Sequence, residues 1–105
     1  MRDLMSWDRA SHLLGESVVD RENHKIGKVE DFAEAWDKNV PEWLVVRTFF
    51  GQPHLVPIDG IQEEDNTIHV PFSKKSVQSA PVPGIPARLF LSDREALARH
   101  YAQAA

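Results

Sequence analysis

Lys25-Ile26-Gly27-Lys28-Val29-Glu30-Asp31-Phe32-Ala33-Glu34-Ala35-Trp36 is the stretch on which the fold of this chain turns. Ile26, Val29, Phe32, Ala33 and Trp36 recur at intervals of three and four, which by period alone is the pattern of an amphipathic helix. Gly27 counts weakly against it, because glycine gives up more backbone freedom on ordering than any other residue. The alternative is a strand whose register changes between Ile26 and Val29, and a β-bulge near Gly27 would supply that change by adding one residue to one side of the ladder. Taken alone, the segment favours helix.

Its neighbours on both sides read as strands. Towards the C terminus, Pro41 to Phe50 holds Trp43-Leu44-Val45-Val46-Arg47-Thr48-Phe49-Phe50, dominated by β-branched and aromatic residues with no helix breaker. Gly51-Gln52-Pro53 supplies a turn, His54-Leu55-Val56-Pro57 a short strand, and Asp59-Gly60 another turn before Ile61. After the polar turn Glu64-Asp65-Asn66, Ile68 and Val70 alternate with Thr67 and His69, as a half-buried strand requires. Towards the N terminus, Ser17-Val18-Val19-Asp20 reads as a strand and Arg21-Glu22-Asn23-His24 as the turn that follows.

Helices are expected only at the ends. Ser6 is placed to cap a short helix over residues 6–14, with Trp7, Ala10, Leu13 and Leu14 at helical spacing and Gly15 as its stop. A helical turn fits Ser73 to Ser79. The prolines at 71, 81, 83 and 86 deny donors to any central strand, so this region is expected to run extended over the surface. Ser92-Asp93-Arg94-Glu95 has the form of a capping box that opens a C-terminal helix. Its apolar face would hold Ala96, Leu97, Tyr101 and Ala104, leaving Arg94, Arg99 and Gln103 to water.

At 105 residues, 42% apolar and 27% charged, the chain has the size of one domain. Folding at this length buries roughly 60–65% of the unfolded surface, enough for a modest core without a disulfide or structural metal. The absence of cysteine excludes thiol catalysis and thiolate-built zinc sites. Charges at Arg2, Asp3 and Asp8 stand where a secretory signal needs an apolar run, so a cytoplasmic location is the default expectation. No stretch approaches the ~20 apolar residues that span a bilayer, and no membrane insertion is expected. The net charge of −4 makes nucleic acid an unexpected ligand.

Leu14-Gly15-Glu16-Ser17-Val18-Val19-Asp20, Ile26-Gly27-Lys28-Val29-Glu30-Asp31, Pro41-Glu42-Trp43-Leu44-Val45-Val46, Val56-Pro57 and Ile68-His69-Val70-Pro71 follow in an order that resembles the PRC-barrel family. The resemblance runs from residue 13 to about 81, including Ala80-Pro81, and leaves 82–105 as an extension. Two departures stand out: His24 replaces the turn glycine of many members, and Phe49-Phe50 make a bulky start to the following loop. The family includes the cytoplasmic domain of the photosynthetic reaction centre H subunit, the C-terminal domain of the ribosome maturation factor, and short stand-alone proteins, the type this chain looks like. The resemblance implies a mainly β fold, a small antiparallel barrel of about five or six strands. Here it would carry a short N-terminal helix, a Pro-rich extended segment and a C-terminal α-helix. It therefore implies that Ile26 to Ala35 is a strand, with Gly27 at a bulge or tight bend.

Catalytic and metal chemistry find little footing in the residues. His54 and His69 could approach Asp59 or Glu63 in a barrel, but no histidine pair has a ligand spacing. No nucleophile elbow is present, and Ser6, Ser73 and Ser92 are better explained as helix caps. The glycines are isolated and form no phosphate cradle. Glu63-Glu64-Asp65-Asn66 resembles half of a calcium loop but lacks its alternating ligands, and a solvated turn explains it. The carboxylates Glu30, Asp31, Glu34 and Asp37 lack the membrane partner and quinone site that a proton relay of the H-subunit kind would need.

Aromatic residues and charge give the stronger lead. Trp36, Trp43, Phe49 and Phe50 crowd one part of a small domain, and filling the core accounts for some of them. The sharper expectation is an exposed apolar patch of Phe49, Phe50, Leu89, Phe90 and Leu91, covered in a homodimer or by another protein. Residues 14–71 hold 5 basic and 12 acidic side chains, net −7, whereas residues 72–105 hold 5 and 2, net +3. A basic tail beside an acidic barrel can dock on it within one chain or across a dimer. The expected function is a non-enzymatic protein-binding or assembly adaptor without a cofactor. The resemblance also admits a ribosome-maturation accessory and, third, a reaction-centre electron-transfer accessory.

Overall fold

Lys25–Glu34 is a strand, β2, and its helical spacing is produced by bulges. Along the ladder to β1 (Ser17–Val19), Val18 faces Gly27 and Val19 faces Lys25, so Ile26 is an extra residue. Along the ladder to β3 (Pro41–Arg47), Val29 faces Val46 and Asp31 faces Val45, so Glu30 is another. Ile26, Val29 and Phe32 are all buried. Each interval of three is the ordinary alternation of a strand plus one bulged residue. Gly27 permits this because a Cβ there would lie 1.9 Å from the Arg47 carbonyl oxygen; the two backbones approach too closely for any side chain.

The computed structural model describes residues 5–34, 39–48, 51–85 and 88–104. After α1 (Trp7–Ser11) and β1 to β3 come β4 (His54–Pro57), β5 (Gln62–Glu64), β6 (Thr67–His69), α2 (Lys74–Gln78) and α3 (Leu91–Ala104). The six strands form one sheet in the order β4-β3-β2-β1-β6-β5. The mainly β architecture with a helix at each end agrees with the expectation. The sheet is mixed, however, because β1 and β6 run parallel, and it is open, since no pairing joins β4 to β5 among the described residues. Two features keep it open. All three residues of β5 are exposed and polar, so nothing apolar draws that edge inward. On β4, the Leu55 carbonyl accepts a hydrogen bond from the Tyr101 hydroxyl of α3, which occupies part of the other edge.

The local chemistry that makes these elements is mostly visible. Ser6 and Ser73 cap α1 and α2, accepting from the Arg9 and Ser76 amides at 3.1 Å each. Asp65 and Asn66, with φ of 52° and 60°, form a two-residue hairpin turn between the paired Glu64 and Thr67, as a right-twisted hairpin favours. The core lies on both faces of β3, where Trp43, Leu44, Val45 and Val46 are all buried. Burying each such side chain contributes about 1.5–3 kcal/mol.

Two expectations for the C-terminal helix are corrected. α3 begins one residue before Ser92, and the side chain that returns to its start is Asp93, whose Oδ2 accepts from the Phe90 amide at 3.0 Å. Ser92 is therefore inside the first turn and is not the cap; aspartate at this position also suits the positive end of the helix dipole. Arg94 is not left to water: its side chain is 22% exposed and its guanidinium pairs with Glu42 at 3.0 Å. Leu97 and Tyr101 form the buried face as expected.

Candidate functional site

Three places on the molecule gather polar or apolar groups in a way that calls for explanation. The first is the turn after β1. Asp20 is 1% exposed, and its Oδ1 accepts from the Glu22 and His24 amides at 2.8 and 2.9 Å. Its Oδ2 accepts from the Lys74 amide at 2.9 Å, and His24 Nδ1 lies 3.0 Å away. Burial alone would raise the Asp20 pKa, but the three amides and the imidazole outweigh it and hold the carboxyl at about 2. Asp20, Glu22 and His24 come within 4.8 Å of one another, yet the Asp20 oxygens are spent on the backbone. The cluster is a lock between the β1–β2 turn and α2. Asn23 takes the positive φ of 65° that a glycine supplies elsewhere, which explains how His24 is accommodated.

The histidines weighed as metal ligands are set apart. His54 is in β4 and His69 in β6, with three strands between them in the sheet. His54 is partly buried, which lowers its pKa.

The second place is the C-terminal extension. Phe90 and Leu91 are 66% and 50% exposed, whereas Leu89 is half-buried against the core. Phe49 and Phe50 lie outside the described residues. Ile85 and Val82, which sequence reasoning passed over, are also exposed, at 54% and 38%; their setting among prolines marked them as loop and drew attention away from their side chains.

The third is a cleft of about 770 Å³. Its walls come from α1 and α3, and its floor from the start of β3 and the turn after β4. Trp43, Phe72 and Tyr101 pack beneath it at tilted angles, the Tyr101 ring centroid lying 6.2 Å from that of Trp43 and 4.6 Å from that of Phe72. The Tyr101 hydroxyl is buried against the Leu55 carbonyl, which raises its pKa. At the rim, Glu42 accepts from Arg94 at 3.0 and 3.4 Å and from the Trp43 indole at 2.9 Å. Glu63 also lines the cleft and meets Glu16, whose pKa is pushed up to about 7 by burial and by the Glu63 carboxylate. Sequence reasoning missed this cleft altogether. No spacing announces it, because its parts come from five separate stretches of chain that only the sheet and α3 bring together.

No helix among the described residues is long and apolar enough to cross a membrane. Residues 7–77 match the family model for the PRC-barrel domain. No curated protein matches the chain.

Proposed function

Because the chain belongs to the PRC-barrel family, we propose that it is a non-enzymatic protein-binding or assembly module, cytoplasmic and homodimeric, that acts through its surface. The observation that carries this reading is the exposure of Ile85, Phe90 and Leu91, all at or above half, beside a core that is already filled. These residues lie within one short piece of chain outside the matched region. Exposed apolar side chains are unremarkable singly; three of them within seven residues of chain are the ground for assigning this segment a covering partner. A second copy suits the charge, because the +3 segment carrying these residues would meet the −7 segment of its partner. The same acidic segment repels phosphate and disfavours nucleic acid.

Sedimentation velocity of the wild type and of Phe90→Ala tests the reading. At 66% exposure Phe90 contributes little to folding of the single chain. If it sits at the centre of a contact, its truncation costs about 2 kcal/mol or more and weakens the dimer about thirtyfold. A wild type that stays monomeric at ~100 μM overturns the dimer, and a dimer indifferent to Phe90→Ala overturns the surface assigned to it.

A further inference from the structure

We propose that the cleft between α1 and α3 binds a small amphipathic organic cation, its ammonium head between the Glu63 and Glu16 carboxylates and its apolar body along the cleft wall. The volume of about 770 Å³ falls within the ~300–1,000 Å³ of small-molecule sites. Met5, Leu13, Ile58, Ile61 and Ala98 supply apolar lining for the body.

The charged lining is Arg9 and Arg94 against Glu42, Asp59 and Glu63, a net charge of −1. Arg94 and Glu42 are closed on each other at 3.0 Å, and Asp59 has an interaction of its own. Arg9 is exposed on α1, where solvent screens it. Glu63 is therefore the lining carboxylate to which a ligand's charge can turn.

Glu63 does not stand alone. It faces Ile68 across the β5–β6 ladder, and Ile68 faces Val18 of β1. Glu16 lies two residues before Val18, so strand alternation puts its side chain on the same face of the sheet as Glu63. Val18 and Ile68, on that face beside them, are buried and apolar and offer no donor. The Glu16 Oε1 is buried without a hydrogen-bond partner, and none of the ion pairs among the described residues involves Glu16 or Glu63. Two carboxylates in contact require something positive between them. In the free chain it is a proton, which burial and the Glu63 carboxylate hold on Glu16 up to about pH 7. An ammonium is compact and carries three donors, so one such group serves both carboxylates in the proton's place. This site is independent of the Phe90 surface.

Titration of the ¹⁵N-labelled full chain with octylammonium, octanol and octanoate, followed by heteronuclear NMR, tests the proposal. Octylammonium is expected to move the amides of residues 61–63 and 98–102 saturably, with a Kd of about 1 mM or tighter for so small a ligand. Octanol and octanoate should bind about tenfold more weakly or not at all, since neither brings a positive head. Because the ammonium displaces the proton held at about 7, its binding should tighten about tenfold from pH 6 to pH 8. Glu63→Gln removes an exposed carboxylate; it should weaken octylammonium about tenfold and flatten that pH dependence. Ala98 is exposed and lines the cleft, so in Ala98→Trp the indole fills the space without touching the core. That variant should abolish the shifts while the spectrum stays folded. Octanol or octanoate binding as tightly, an affinity indifferent to pH, undiminished binding by either variant, shifts centred on Phe90 and Leu91, or no saturable shift would each overturn the assignment.

Discussion

Asp20 illustrates how one polar side chain can matter as much to this fold as a buried apolar one. It is buried and ionised at once, and that is tolerable because four donors surround its two oxygens. One of them, the Lys74 amide, comes from 54 residues further along the chain. Asp20→Asn preserves the shape but removes the charge and turns an NH₂ group towards amides that donate. We expect a loss of about 2 kcal/mol at neutral pH, read from the midpoint of chemical denaturation. The folded carboxyl titrates at about 2 against an ordinary 3.8, so the folded state binds fewer protons than the unfolded one in between. Its contribution is complete above pH ~4 and is lost as pH falls towards ~2. Wild-type stability should drop across that interval more steeply than that of Asp20→Asn, and parallel slopes would show that the cluster is not the source.

At the level of the element, β2 carries the clearest consequence. A methyl group at Gly27 would collide with the Arg47 carbonyl, and since that neighbour is backbone, the two strands must part. Gly27→Ala is expected to cost about 2 kcal/mol or more, or a fall in Tm of ~10 °C for a domain of this size. A Tm within a degree or two of wild type would mean the close approach is not maintained. The same strand shows where sequence stops being legible. Period alone pointed to helix, because two bulges mimic its spacing, and only the ordered run of five motifs pointed to strand. The strands β1, β3, β4 and β6 were legible from alternation and turn residues. β5 was not, since Gln62-Glu63-Glu64 has no apolar signal and becomes a strand only through the Asp65-Asn66 turn that folds it onto β6. The exposed Phe90 and Leu91 were legible as a surplus of apolar residues. The cleft was not, because Arg94, Glu42 and Trp43 meet through tertiary packing that no local pattern encodes.

For the whole molecule, α3 is the decisive addition. It lies beyond the matched residues 7–77, yet it places Leu97 and Tyr101 in the core. It holds three elements at once, through Tyr101 on Leu55, His100 on the Ser76 carbonyl and Arg94 on Glu42. A chain ending at Ala80 would uncover Trp43, Phe72 and the β4 edge, so we expect it to lose cooperative thermal unfolding and its near-ultraviolet circular dichroism. A truncated chain that melts like the full one would make α3 an appendage and not part of the domain. The pairing of β1 with β6 also matters before the protein is complete. Ser17 sits opposite Thr67, and synthesis proceeds from the N terminus at ~5–20 residues per second. A newborn chain therefore holds β1 for a few seconds before its parallel neighbour exists. The hairpin partner β2 covers one side in that time, while the other side of β1 and the Asp20 carboxylate wait for residues 67–74. Translation speed through that stretch thus sets how long an unpaired strand is offered to whatever else is in the cell.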